Sequence, residues 1–422
     1  MEEVVAKKKM AAKQAPSLRF PGFGESWKHV TLENLTSKTI SYGIVQAGDH
    51  VEDGMPYIKS IDLNTALELG QLQRTSFEIA HKYRRSEVVP GDIVFSLRGN
   101  IGVSQIVPKS IEVANLTQGT ARISVSEDYS NLFIQKALQT QKIIKHVFAV
   151  MKGSTFQEIS LGDLRQVKVT LPTLPEQQKI AGFLSAVDAR IQQLTRKKAL
   201  LEQYKKGVMQ QLFTQAIRFT KADGSAFAEW EEKRLGEVGA TFNGLTGKAG
   251  PDFGEGAPFI TYKQIFDSSR IKLASCGAVR VESGEKQSKA KYGDVFFTTS
   301  SETRLEVGFT SVLLEEVEDL YLNSFCFGYR INSHKKFSPD FARYLFRSEL
   351  FRKDMVKLGQ GSTRYNISKN EVKKLLIKLP SLEEQQKIAG FLGALDARVQ
   401  AVGAQLAGMQ QWKKGLLQGM FV

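Results

Sequence analysis

Leu171-Pro-Thr-Leu-Pro-Glu-Gln-Gln-Lys-Ile-Ala-Gly-Phe-Leu184 returns 208 residues later as Leu379-Pro-Ser-Leu-Glu-Glu-Gln-Gln-Lys-Ile-Ala-Gly-Phe-Leu392. Held without gaps from Leu171/Leu379 to Phe213/Phe421, this register gives 24 identities in 43 positions. Shared composition does not produce such a run, so the chain is internally duplicated. Upstream the repeat is weaker. Gly153-Ser-Thr matches Gly361-Ser-Thr, Ile159-Ser160 matches Ile367-Ser368, and Arg122-Ile123 matches Arg330-Ile331. Asn115 matches Asn323, and Gly91-Asp92 matches Gly293-Asp294 at a slightly shorter offset. Arg19-Phe20 and Trp27 have counterparts in Arg218-Phe219 and Trp230. The chain reads as two tandem units, each a divergent globular region followed by a nearly invariant segment.

The invariant segments read as long helices. Thr173-x-x-Glu176 and Ser381-x-x-Glu384 have the form of capping boxes, in which the hydroxyl accepts from a backbone N–H three residues on and the glutamate returns to the cap. Apolar residues then recur at 4-3 spacing. The first stripe runs Ile180, Leu184, Val187, Ile191, Leu194, Lys198, Leu201, Lys205, Val208, Leu212. The second runs Ile388, Leu392, Leu395, Val399, Val402, Leu406, Met409, Lys413, Leu416, Met420. Stripes sustained over four or more heptads predict coiled-coil packing, and pairing the two helices antiparallel buries both seams. The alternative is that each helix packs only on its own globular region. From Glu176 to Phe213 is 38 residues, a rod of about 57 Å at 1.5 Å per residue. That length suits two DNA-binding modules held about one to one and a half duplex turns apart. Small residues at Ala181-Gly182, Ala186, Ala189 and at Ala389-Gly390, Gly393-Ala394, Ala397 offer a second face to another protein's helix.

The divergent regions mix short β-like runs with one helical stretch each. In the first, the runs begin at Pro56, Asp92 and Ala121, and a helix is expected over 131–150. In the second they begin at Phe259, Asp294 and Phe327, with a helix over 339–358. Formal net charge is +14, from 58 Lys+Arg against 44 Asp+Glu. Such an excess favours a polyanionic partner, of which nucleic acid is the commonest. Candidate DNA contacts in the first region are Lys82, Arg84, Arg85, Arg98, Asn100, Gln118, Lys152, Ser154, Thr155 and Gln157. In the second they are Lys263, Gln264, Ser301, Arg304, Asn323, Gln360, Ser362, Thr363, Arg364, Tyr365 and Asn366. Arginine reads guanine and Asn or Gln reads adenine through paired hydrogen bonds, while Ser, Thr and Lys hold phosphates. Most exposed lysines and arginines are merely solvated, so only the Gly-Ser-Thr loops, present in both units, stand out.

Composition and motifs exclude other classes. Hydrophobic residues are 42% and charged residues 24%, values close to globular averages. No apolar run reaches the roughly 18 residues of a membrane span. The first residues lack the apolar core of a secretory signal. Two cysteines, Cys276 and Cys326, cannot build a disulfide framework, which suits a reducing compartment and a cytoplasmic location. His29, His50, His81, His146 and His334 have no metal-ligand spacing, so no metal is expected. There is no Asn/Asp-Pro-Pro-Tyr/Phe adenine-methylation motif and no phosphate loop: Gly247-Lys248 is followed by Ala249, where Ser or Thr is needed. Pro251-Asp252 lacks a nuclease partner, and Gly254-Glu-Gly256 reads as a turn. No catalytic and no cofactor-binding residue is expected in this chain.

Two variable regions, each followed by Leu-Pro-x-Leu-x-Glu-Gln-Gln-Lys-Ile-Ala-Gly-Phe-Leu, together with Arg19-Phe-Pro-Gly-Phe-x-x-x-Trp27, resemble the specificity subunits of type I restriction–modification systems, which serve host defence. The resemblance implies an α+β fold. Two tandem mixed α/β target-recognition domains are separated by two long helices forming an antiparallel coiled coil, with a pseudo-two-fold internal repeat. Expected boundaries are a flexible tail over 1–16, the first recognition domain over 17–172, a spacer helix over 173–214, the second domain over 215–380 and a second helix over 381–422. It also implies a non-catalytic role in which each domain reads one half of an asymmetric bipartite site in double-stranded DNA. The helices set the spacer and dock two modification (methyltransferase) subunits. Those carry S-adenosylmethionine for adenine methylation, while restriction subunits supply ATP- and Mg-dependent translocation and cleavage. The positions matching the helix motif, and so implied to bind partners, are Glu176, Gln177, Gln178, Lys179, Gly182 and Phe183, with Glu384, Gln385, Gln386, Lys387, Gly390 and Phe391. A coiled-coil scaffold whose globular regions bind protein is the competing reading.

Overall fold

In the computed structural model the described residues are 15–151 and 157–422. They fall into two compact units. One comprises the chain up to Thr195 together with Ala404–Val422, and the other is Arg196–Gly403. Each unit therefore contains one globular domain, part of the first long helix (Leu174–Phe213) and part of the second (Leu382–Gly419).

The two domains share a topology. In the first, an antiparallel sheet runs in the spatial order Ser41–Tyr42, Thr120–Ile123, Ile93–Ser96, Ser104–Ile106. In the second, the order is Gly239–Asn243, Cys326–Ile331, Val295–Thr298, Thr310–Val312. Beside each lies a three-stranded sheet with one parallel pairing: Met55–Ile58 against Asn115–Leu116, and Phe253–Ile260 against Tyr321–Leu322. Each central strand (Ile93–Ser96, Val295–Thr298) is buried on both faces. That explains the unbroken Ile-Val-Phe and Val-Phe-Phe runs, which carry no polar alternation. A two-stranded ribbon closes each domain, Lys28–Thr31 on Lys168–Leu171 and Glu231–Arg234 on Leu376–Leu379, and delivers the chain to the long helix.

The helix expected over 131–150 is two helices, Asn131–Leu138 and Gln141–Val150. That expected over 339–358 is likewise Pro339–Leu345 and Glu349–Lys357. The break has a local cause. Ser348 Oγ accepts from the Phe351 N–H and donates to the Leu345 carbonyl, so it starts one helix as it ends the other. Arg347, on the break, donates to the carbonyls of Thr310, Ile265, Phe266 and Ser268, and burial pulls its pKa down to about 10. Gly254-Glu-Gly256, expected as a turn, lies instead within the Phe253–Ile260 strand, where φ of 118° and 106° at the two glycines accompanies a register shift. A Cβ at Gly256 would lie 2.5 Å from the Val279 carbonyl oxygen.

Every position of both 4-3 stripes is buried or half-buried. Of the lysines that interrupt the stripes, Lys205 and Lys413 pair with aspartates of the opposing helix, whereas Lys198 pairs with Glu202 of its own helix. Within the first unit Asp188 takes Lys413 from the opposing helix at 2.7 Å and Lys136 from the domain at 2.5 Å. Within the second, Asp396 takes Lys205 at 2.5 Å and Arg343 at 2.7 Å, with the Tyr344 hydroxyl donating at 2.8 Å. Each unit thus closes an antiparallel helix pair and ties it to its own domain through one aspartate. No helix among the described residues is long and apolar enough to cross a membrane.

Candidate nucleic-acid interface

The invariant motif acts first inside each unit. Glu176 accepts from Arg19 at both carboxylate oxygens, at 2.7 and 2.8 Å, and Glu384 accepts from Arg218 at 3.1 and 3.0 Å. The glutamates bond these arginines and not the helix cap, so neither expected capping box forms; only its serine half is present, Ser381 Oγ accepting from the Glu384 N–H at 3.4 Å. Gln177 accepts from the Ser130 N–H and donates to the Pro172 carbonyl. Gln385 accepts from the Ser338 N–H and donates to the carbonyls of Pro380 and Lys336. Phe183 meets Phe20 edge-on, and Phe391 meets Phe219. These four carboxylate and amide side chains are buried, so they serve to seat the helix on its domain. Of the other motif positions, Gln178, Lys179, Gly182, Gln386 and Gly390 are exposed, whereas Phe183, Lys387 and Phe391 are half-buried. Lys179 lies over the Phe20 ring, and Lys387 lies over Phe227 and donates to the Thr220 carbonyl.

The polar residues of the domains gather where the two sheets end together. In the first domain the Asn100 amide donates to the Ser60 carbonyl at 2.7 Å and to Asn64 Oδ1 at 2.9 Å, and Ser96 holds its oxygen. Arg98 pairs with Glu158, and their backbones bridge. Gln118, half-buried, sits on the turn whose Gly119 approaches Ser60 and Arg98. Gln157, exposed, precedes Glu158. Lys152, Ser154 and Thr155 lie outside the described residues. Lys82, Arg84 and Arg85 are elsewhere, exposed beside the Ser41–Tyr42 strand, with Lys82 paired to Glu78.

In the second domain Ser300–Ser301 pairs with Tyr365–Asn366, which brings the predicted Ser301, Tyr365 and Asn366 into one ribbon. Gln360 bonds Asn366 through the backbone, and Ser362, Thr363 and Arg364 form an exposed loop between them. Arg304 lies against Gly359 and donates to the Val356 carbonyl. Asn323 accepts from the Phe325 N–H with its side chain. Two predicted residues stand apart. Gln264 is buried and bonds the turn at Lys272 and Ser275, and Lys263 forms an exposed pair with Asp267.

A pocket of about 410 Å³ opens at this place, between Tyr262, Ser300, Glu302, Glu306, Phe325 and Arg364. Phe325 is 65% exposed, and the Tyr262 hydroxyl donates to the Ser300 carbonyl at 2.6 Å. Burial raises the Tyr262 pKa, so the phenol keeps its proton. An exposed ring stacks on any base, a carboxylate accepts from a cytosine amino group, and an arginine donates to guanine. Among the described residues the first domain offers arginine and amides at the corresponding place, without the aromatic rings. Sequence reasoning missed Glu158, Ser60, Tyr262, Glu302 and Phe325. Phe325 was the detectable one, an aromatic set in the Asn-Ser turn between two buried strands. No cluster of three metal-ligating side chains occurs among the described residues.

The family model for the type I restriction modification DNA specificity domain matches the chain twice, over residues 25–203 and 228–407. The Escherichia coli type I restriction enzyme EcoBI specificity subunit is 32% identical over 162 residues, 37% of this chain and only 34% of that protein. The putative type I restriction enzyme MjaX specificity subunit of Methanocaldococcus jannaschii is 25% identical over 379 residues, covering 83% of this chain and 81% of that one. The crystal structure of the type I S subunit from M. genitalium superposes with a TM-score of 0.59 over 97% of this chain and 99% of that chain, at 15% identity, a likeness of fold. With two family matches that together take in most of its length, the chain belongs to the type I restriction–modification DNA specificity family, whose domain it carries in two copies.

Proposed function

We propose that this specificity subunit reads a split, asymmetric DNA site, one half with each domain, and that the paired helices fix the gap and dock two modification subunits. The observation that carries the reading is the contrast between the two loop clusters. They occupy the same place in the same topology but present Arg98, Asn100 and Gln118 in one domain, and Glu302, Phe325 and Arg364 in the other. Different side chains on one scaffold select different bases. The chain's share is recognition. Adenine methylation from S-adenosylmethionine falls to the modification subunits, and ATP- and Mg-dependent translocation and cleavage fall to the restriction subunits. All act in the cytoplasm. Gln178, Lys179, Gly182 and Phe183, with Gln386, Lys387, Gly390 and Phe391, are the motif positions with surface to offer those partners.

Methylation sequencing of DNA from cells carrying this chain and its modification subunit tests the reading. The expected result is a two-part adenine motif that is not a palindrome. Replacing residues 17–172 by those of a relative changes one half of the motif and leaves the other. Unmodified DNA from an assembled complex, or a motif altered in both halves, overturns it.

A further inference from the structure

Arg122 and Arg330 are equivalent in the repeat, but their surroundings differ. Arg330 is neutralised: Asp294 accepts from it at both oxygens, at 2.8 and 2.6 Å, and the Phe242 ring covers it at 4.9 Å. Arg122, 6% exposed, donates only to the carbonyls of Glu87 and Thr39, and its Nε has no partner. The equivalent carboxylate, Asp92, accepts from the Val89 N–H, and no carboxylate pairs with Arg122 among the described residues. The Asp294 hydrogen bonds raise the Arg330 pKa, while burial lowers that of Arg122 and outweighs the opposing charges of Asp92 and Glu87. Two half-buried arginines also lack a carboxylate partner, Arg347 and Arg352. They are saturated by four and three carbonyls and lie over the Phe309 ring. Arg122 has neither compensation.

Arg122 also has cationic company. It opens on a pocket of about 750 Å³ shared with Lys38, Arg84, Arg85 and Arg165, against one acid, Glu87. Arg165 Nε is likewise buried without a partner. Five cations facing one carboxylate in the pocket repel one another, and a buried guanidinium with no carboxylate hydrogen-bonded to it is costly. Both problems are relieved by a compact phosphate anion with several acceptor oxygens, which matches the arginine fork.

We infer that this pocket of the first domain is a phosphate-binding site, built on Arg122 and Arg165 and completed by Lys38, Arg84 and Arg85, with no counterpart in the second domain. The phosphate belongs to a nucleic-acid backbone or is free in solution. The pocket's position favours the backbone. Arg122 lies three residues along the chain from Gly119 in the base-reading cluster, about 10 Å at strand rise. The inference extends the DNA-reading proposal by giving the first domain a backbone anchor that fixes its register.

The test uses the full-length chain and three variants, Arg122→Gln, Arg165→Gln and the double variant Arg84→Gln/Arg85→Gln. The last alters only exposed side chains, so it folds even if the buried substitutions do not. Two quantities are measured: the Tm with inorganic phosphate against chloride at equal ionic strength, and the salt dependence of binding to a mixed-sequence duplex. The expected result is that phosphate raises the Tm of the unaltered chain but not of the variants. Each lost backbone contact lowers the log–log salt slope by about 0.9. A lower slope with or without phosphate stabilisation identifies a backbone site. Stabilisation with an unchanged slope identifies a site for free phosphate. No stabilisation and an unchanged slope in the double variant overturn the inference. A split methylation motif that persists alongside that last result leaves the DNA-reading proposal standing.

Discussion

At the head of each long helix the two units make the same bonds, whereas at the ends of their sheets they do not. Glu176 and Glu384 each take an arginine from the opening motif, Gln177 and Gln385 each hold the serine that starts the domain's helix pair, and Asp188 and Asp396 each clasp a lysine of the opposing helix. The loop clusters proposed to read bases share a location but scarcely a side chain. Duplication has preserved the bonds that close the fold, because each involves buried polar groups that cannot change singly without leaving a partner unsatisfied. Exposed loop residues carry no such penalty, and there the copies have diverged. Even in the shared part the match is imperfect: the Trp230 indole donates to Glu384 at 3.1 Å, but the Trp27 indole nitrogen has no partner.

That comparison breaks most visibly at the helix heads. Glu384→Gln removes the charge opposite Arg218 and weakens the Trp230 bond, and Glu176→Gln removes the charge opposite Arg19 alone. Breaking a buried ion pair costs about 3–5 kcal/mol, and the additional bond makes the second unit the more sensitive by about 1 kcal/mol. Hydrogen exchange followed separately in each unit checks this; losses below about 1 kcal/mol in both would show that the carboxylates do not hold the heads.

The reading clusters respond on a smaller scale. Phe325→Ala removes the exposed ring of the second domain and is expected to weaken binding to a recognised duplex by about 1–3 kcal/mol. Fluorescence anisotropy gives the loss and methylation sequencing gives the half-site affected. Altered preference in the half read by the first domain would mean that the two readers are not independent.

The gentlest probe is acid. Burial raises the Asp188 pKa, but hydrogen bonds and charge from Lys136 and Lys413 outweigh it and hold the carboxyl below its ordinary value of 3.8. A group depressed on folding stabilises fully above its unfolded pKa and loses that contribution as pH falls through the folded one. The clasp therefore weakens only below about pH 4. The expected outcome is that Tm falls more steeply across that range for the unaltered chain than for Asp188→Asn, and parallel curves would remove Asp188 from the clasp.

Much of this was legible before any coordinates. The duplication, the long helices, their seams and the strands that start near Pro56 and Asp92 follow from identity, period and turn residues, all local signals; the run expected to start a strand at Phe259 instead ends one that begins at Phe253, and its Thr261 caps a helix. The helix expected over 131–150 concealed a break because Gln139-Thr140 is not a strong breaker, and Arg347 shows its purpose at the second break only through carbonyls distant in sequence. Of the site candidates, Asn100, Ser301 and Arg364 came together with their neighbours. Gln264 proved to be internal scaffolding, because an amide looks the same in sequence whether it meets a base or a turn.

The amino-acid order by itself determined that there are two copies of one design, that amphipathic helices follow each domain, and that the surface is basic, since periodicity and net charge need no partner in space. Only the tertiary structure decided which invariant residues are spent inside the molecule and which remain free for others, and which of two equivalent arginines has a carboxylate hydrogen-bonded to it. Those outcomes depend on what lies within about 3 Å of a side chain, and in this chain the answering group can sit 225 residues away, as Lys413 does from Asp188.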